Sequence, residues 1–289
     1  SQLARLVDPS GGSYYVERLT HELASLAWAR FQEMDAQGGI PVLLERGELQ
    51  REIAELARKR EDGVRKRKIR VVGANMYANP QEKLELPAKE DLVGKPLAAE
   101  GAVDGALSGA PAEHWQEAAR KGISPAQLRA AMGGAEAQAF PVVAPYRVSA
   151  SFEALRAGMT AVRSSDPPAA RVFLATMGPV AQHKTRADFS RAFFELAGCE
   201  VVYPPTGFLQ SRDAVAAAVE SGAATVVVCS TDETYPGLVP ELAQGLRTVA
   251  PAVRLILAGY PKEQVEAHKA SGVDDFIFLG CDAHAVLSR

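Results

Sequence analysis

The sequence predicts an α/β protein whose C-terminal part is a doubly wound, parallel, five-stranded sheet. Two observations carry this. Between residues 171 and 289, five short β-rich runs alternate with five helical patterns, which is the signature of βαβ units. The runs are also largely apolar, as in Val172-Phe-Leu-Ala-Thr176, and so suit strands covered on both faces. Five such strands close naturally in the order 2-1-3-4-5.

Taken in order, the chain opens with Val7-Asp-Pro-Ser-Gly-Gly-Ser-Tyr-Tyr15, dense in turn formers. A helix is predicted from about Val16 to Ala36, with Leu19, Leu23 and Leu26 at helical spacing and Gly38-Gly39 ending it. A second helix is predicted from about Glu48 to Arg65 on the stripe Leu49, Ile53 and Leu56. Two such helices cannot close a domain alone, so their apolar faces need further chain or another subunit. Arg65-Lys-Arg-Lys68 reads as a solvated helix end, which favours cations, or as a patch for phosphate or an acidic partner. Ile69-Arg-Val-Val72 is strand-like, and Gly73 to Tyr77 reads as an exposed turn.

Ala99 to Ala112 is rich in Ala and Gly and reads as linker. Helical pieces follow at about Pro111–Lys121, Ser124–Met132 and Ser151–Arg163, with an extended stretch over Phe140–Pro145. Strands are expected at Val172–Thr176, Glu200–Tyr203, Thr225–Cys229, Arg254–Ala258 and Asp275–Phe278. Helices are expected at Arg186–Ala197, Arg212–Ser221, Pro236–Val249, Lys262–Ser271 and Asp282–Ser288. The whole is a flavodoxin-like three-layer domain. Its ligand end is the carboxyl end of the strands, so the loop within Leu174 to Asp188 is where a cofactor would sit.

The bulk composition narrows the function. A net charge of −3 without a strong basic block argues against nucleic acid as the main partner. No run approaches the ~18 apolar residues of a membrane span. The chain starts at Ser1, so it reads as a fragment or trimmed piece. Cys199, Cys229 and Cys281 are odd in number and widely spaced, which suits small core residues in a reduced, cytoplasmic compartment. No zinc spacing, dinucleotide fingerprint or P-loop occurs.

Three blocks carry a resemblance. Val7-Asp-Pro-Ser-Gly-Gly-Ser-Tyr-Tyr-Val-Glu-Arg-Leu-Thr20, Gln37-Gly-Gly-Ile40 and Val71-Val-Gly-Ala-Asn-Met-Tyr77 resemble the methylmalonyl-CoA mutase family. The resemblance implies that residues 1–77 are the end of a (β/α)8 acyl-CoA-binding barrel, 78–168 a linker region, and 169–289 a flavodoxin-like domain of the cobalamin-binding type. It implies adenosylcobalamin in the holoenzyme, a catalytic large subunit as partner, and acyl-CoA reached only through the complex.

Catalytic chains of that family carry Asp-x-His-x-x-Gly after the first strand, then Ser-x-Leu, then Gly-Gly. Here the first element reads Ala181-Gln-His-Lys-Thr-Arg186, so His183 keeps the cobalt-ligand position. Ala181 replaces the carboxylate that would hold the other ring nitrogen, and Arg186 replaces the glycine. The second element reads Ser230-Thr-Asp232 and the third Gly259-Tyr260, whose ring is expected to fill open space. These departures, with Gly280-Cys-Asp-Ala-His-Ala-Val-Leu287, resemble the non-catalytic small subunit.

The degenerate site is thus expected at His183, Arg186, Ser230 and Gly259, with little or no cobalamin bound by this chain. His183 reads otherwise as an exposed loop or cap histidine, Lys184 as a solvated lysine, and Asp232 with Glu233 as helix-capping residues. His21, His114, His268 and His284 share no ligand spacing. A catalytic chain using His183 as cobalt ligand, and a stand-alone small-molecule-binding module, remain the competing readings.

Overall fold

The structure is a computed structural model, and it describes residues 5, 7–79, 112–120, 141–143 and 146–289. The expected helix at Ser124–Met132 and most of the expected linker lie outside the described residues. The chain divides into two compact units: Ser1–Glu55 with Pro87–Pro145, and Leu56–Leu86 with Tyr146–Arg289.

In the first unit, α1 (Tyr14–Ala36) starts two residues before the predicted helix and buries no residue. Leu19, Leu23, Leu26, Trp28 and Phe31 are all exposed, and Trp28 stacks on Phe31 with ring centres 5.3 Å apart. The Gly38-Gly39 pair does end α1, but Gly38, at φ 102°, also opens a short helix, α2 (Gly39–Glu45). The pattern missed α2 because it is barely two turns long. α3 (Glu48–Arg65) has the predicted bounds. Its Glu52 pairs with Arg30 of α1. α4 (Ala112–Arg120) lies where a helix was expected.

The second unit is a five-stranded, all-parallel sheet: β1 (Arg171–Thr176), β2 (Glu200–Val202), β3 (Thr225–Cys229), β4 (Arg254–Ala258) and β5 (Asp275–Ile277). The strand order is β2-β1-β3-β4-β5, as the alternation predicts. Successive residues of a strand point to opposite faces, and here each face has its own core. Val172 and Leu174 of β1, Val227 of β3 and Ile256 of β4 join one core. Phe173 and Ala175, Val226 and Val228, and Leu255 and Leu257 join the other.

The helices are α5 (Ala150–Ser165), α6 (Val180–Glu195), α7 (Ser211–Ser221), α8 (Tyr235–Val249), α9 (Val265–Ala270) and α10 (Ala283–Leu287). Phe152 of α5, Phe193 of α6 and Val286 of α10 fill the first core. Val215 of α7, Leu242 of α8 and Val265 of α9 fill the second. Asp282 caps α10 by accepting from the Ala285 amide at 2.9 Å.

This unit reaches beyond the expected boundary at residue 169. Val64 and Phe152, both fully buried, belong to the first core. The buried Arg156 of α5 donates to the carbonyls of Gly73, Ala74 and Leu196, which ties α5, the 73–74 turn and the end of α6 together.

The expected strand at Ile69–Val72 is not formed; Val72 makes one isolated bridge to Met76. The reason is Asn75, which is buried rather than exposed. Its Oδ1 accepts from the Val71 amide, and its Nδ2 donates to the carbonyls of Val64 and Ile69, each at 2.8 Å. Backbone groups that a strand partner needs are already taken.

Candidate functional site

In an open parallel sheet the ligand end is where the strands finish. β1 finishes at Thr176, and Met177 donates to the Cys229 carbonyl at 2.9 Å, holding the β1 and β3 ends level. Gly178 turns the chain at φ 79°, and Pro179 leads into α6. The helix therefore begins at Val180, six residues before the predicted start, and no side chain caps it.

This early start changes the surroundings of His183. It lies in the first turns of α6 and is 3% exposed, not an exposed loop or cap residue. Its Nδ1 lies 3.0 Å from the Gly178 carbonyl. A carbonyl only accepts, so Nδ1 carries the proton and Nε2 is left as the acceptor. The missing carboxylate at Ala181 thus has a substitute in the backbone, a correction to the expectation that His183 lacks a partner. Gly207 closes over this contact. A Cβ there would lie 2.6 Å from His183 Cε1 and inside the Gly178 carbonyl oxygen. Gly178 in turn donates to Phe208 at 2.8 Å, and Phe208 to Thr176 at 2.7 Å.

Arg186 lies one turn further along α6. Nη1 donates to the Ala258 carbonyl at 2.9 Å, and Nη2 pairs with Asp232 Oδ1 at 2.9 Å. The guanidinium carbon sits 5.1 Å from the centre of the Tyr235 ring. Burial opposes its charge, but Tyr235 and Asp232 outweigh burial and raise its pKa. Asp232 is therefore an ion-pair partner and not a helix cap; the N-cap of α8 is Thr234. Lys184 pairs with Asp188 at 3.0 Å.

Gly259, at φ 142°, leaves room for that guanidinium. A Cβ there would lie 2.6 Å from Arg186 Nη1 and 3.3 Å from Asp232 Oδ1. Ser230 is fully buried; its Oγ donates to the Met177 carbonyl at 3.2 Å and accepts from Thr234 Oγ1 at 2.8 Å. Tyr260 does not fill the open space. Its ring folds back onto Phe278, 4.6 Å away, and stands edge-on to Phe276 at 5.7 Å.

A cleft of about 290 Å³ remains beside Arg186, lined chiefly by Thr185, Phe189, Gly259, Ile277, Phe278 and Leu279. Its lining is mainly apolar. Among the described residues no three of His, Cys, Asp and Glu gather as a metal cluster.

The sheet end thus brings together three of the expected residues, Arg186, Ser230 and Gly259, with His183 to one side under Gly207. Tyr235 is the member that sequence reasoning missed. It is fully buried, and its hydroxyl donates to the Ala258 carbonyl at 2.6 Å and accepts from the Ser230 amide at 3.1 Å. His268 was missed too; it is 2% exposed, and its ring stands edge-on to Tyr235 at 6.2 Å. Only the position of Tyr235 at the helix start, before Pro236, hinted at a structural role.

Comparison with known proteins points to one family. A model of the methylmalonyl-CoA mutase family matches residues 1–95. The methylmalonyl-CoA mutase small subunit of Streptomyces virginiae is 30% identical over 288 residues, covering 100% of this chain. Along its whole length the chain is similar to the methylmalonyl-CoA mutase family. A probable small subunit of that mutase from Mycobacterium tuberculosis is 28% identical over 290 residues, again across 100% of this chain. A methylmalonyl-CoA mutase of Rhizobium meliloti is 41% identical over 75 residues, which is 26% of this chain and 10% of that protein. The chain spans 38% of the length of the two small subunits. Among the described residues no helix is long and apolar enough to cross a membrane.

Proposed function

We propose that this chain is part of the small subunit of a heterodimeric, cytoplasmic, adenosylcobalamin-dependent methylmalonyl-CoA mutase, which interconverts methylmalonyl-CoA and succinyl-CoA. In this reading the chain holds the catalytic large subunit and binds no cobalamin itself. The holoenzyme's cofactor supplies the radical chemistry, and acyl-CoA is met only in the complex.

The observation that carries the reading is the Arg186–Asp232 pair, which lies over the Ala258 carbonyl and Gly259 where a large planar ligand would approach. A corrin set on the strand ends would have to displace a guanidinium held by a carbonyl, a carboxylate and an aromatic face. His183, 3% exposed and closed over by Gly207, adds to the misfit. The residues present do not fit the cofactor, and no chemical step is assigned to them.

Titration of the chain with adenosylcobalamin tests this. The expected result is an unchanged cobalamin spectrum and no retention on gel filtration. A red base-off complex with histidine bound, at micromolar affinity or better, overturns the reading. Co-purification with a large mutase subunit is the expected companion result.

One observation favours a second reading. Nδ1 faces the Gly178 carbonyl, so in the neutral imidazole Nε2 is the nitrogen left to bind a metal. If His183 is a cobalt ligand in the assembled enzyme, His183→Ala abolishes turnover and changes the cobalamin spectrum. An unchanged spectrum and turnover end that reading.

A further inference from the structure

Arg67 stands apart from the cations around it. In the basic run after α3, Arg65 pairs with Asp282 at 2.9 Å and Lys66 with Asp62 at 2.6 Å. Among the described residues Arg67 has no such partner. Its backbone is left-handed, at φ 58°, a conformation that disfavours a long side chain. That turn sends the side chain inward. Its guanidinium carbon lies 5.6 Å from the centre of the Phe189 ring, and Nη2 reaches the Met76 thioether, a weak acceptor, at 3.1 Å. Nε is sealed from solvent and has no hydrogen-bond partner among the described residues.

The surroundings offer no counter-charge among the described residues. The groups that act on Arg67 are Cys281 and Arg70. Burial raises the pKa of the Cys281 thiol, so at neutral pH it is uncharged. Burial first, and Arg70 second, push the pKa of Arg67 down. A guanidinium withdrawn from water is ordinarily paired, because its desolvation is otherwise uncompensated. Strained backbone of this kind also collects at ligand clamps.

We propose that Arg67 is an anion-binding residue whose ligand is a phosphate-bearing small molecule, with the exposed Lys68 and Arg70 as outer cations. Two features favour phosphate over a single carboxylate. The guanidinium fork matches phosphate oxygens in pairs. Three cations within four residues, with no acid facing the central one among the described residues, suit a dianion. The site uses none of His183, Arg186, Ser230 and Gly259, so it stands whatever becomes of the cobalamin question.

The probes are inorganic phosphate and pyrophosphate, titrated into the chain by calorimetry and by amide chemical shifts at constant ionic strength. Saturable binding is expected, with shifts centred on residues 65–70 and Phe189. Arg67→Gln is expected to weaken binding about 10-fold or more, the loss of a charge-assisted contact. Lys68→Gln has a smaller effect, and Arg191→Gln, on the exposed face of α6, none. Arg67→Met keeps the stem over Phe189 and guards against a folding artefact; it too is expected to lose binding. Wild-type affinity in both Arg67 variants overturns the proposal. So does the absence of saturable binding.

Discussion

Replacing Arg186 with alanine tests whether its guanidinium holds the strand ends together. The variant removes the contact to the Ala258 carbonyl, the pair with Asp232 and the stack on Tyr235. A hydrogen bond to a charged group contributes about 1.5–3 kcal/mol, and the lower end applies here. The Ala258 carbonyl keeps its bond from Tyr235 at 2.6 Å and is not orphaned. The ion pair adds little, since the side chains are 27% and 50% exposed; such pairs are worth about 0.2–1 kcal/mol. The cation–π contact adds about 0.5–1 kcal/mol.

These terms overlap, so the expected loss for Arg186→Ala is about 2 kcal/mol, and for Asp232→Ala about 0.5 kcal/mol. For a unit of this size that is a fall in Tm of roughly 4–8 °C against 1–2 °C. Urea melts followed by circular dichroism, with the double variant closing the cycle, read both losses. If Arg186→Ala is as mild as Asp232→Ala, the guanidinium is a surface group and the reasoning fails.

Gly207→Ala is expected to destabilise by about 2–4 kcal/mol, because its Cβ meets backbone and a buried ring that cannot move independently; chemical denaturation measures the loss, and the His183 ring resonances should shift with it. Burial holds the His268 pKa below 6.5 in the folded chain, so the neutral form is favoured. Stability from this group is full above about pH 6.5 and falls as pH drops below it; in His268→Gln that acid slope of Tm should be shallower. Cys229 is fully buried with its thiol pKa pushed up to about 12, so it should resist alkylation in the native chain until global unfolding. Mass spectrometry after iodoacetamide, with and without urea, reads this directly.

Much of the architecture was legible because it is local. β3 and β4 have the predicted bounds and β1 starts one residue early, at Arg171, since each holds a run of four or five residues that must be apolar on both faces. The α3 stripe places that helix to the residue. The strand order follows from alternation alone, because parallel crossovers and two covered faces leave few arrangements. The three blocks that resemble the mutase family were legible too, as plain sequence.

The candidate site was only half legible. His183 and Arg186 were visible as residue types, but their surroundings depend on residues distant in the chain. The Gly178 carbonyl, five residues before His183, became its partner only because α6 starts at Val180. Gly207 seals that contact from another loop, and Arg186 meets Asp232 across 46 positions of sequence. Likewise Asn75 turned an apparent strand into a closed loop by taking its backbone groups. The sequence alone determined the alternating strands and helices of the parallel sheet, because periodicity and apolar content act within one helix or strand, but not the short α2 or the fate of residues 69–72. Tertiary structure decided what the ligand end of the sheet presents, because a guanidinium goes where a carbonyl, a carboxylate and a ring converge, and that convergence exists only once the strands are side by side.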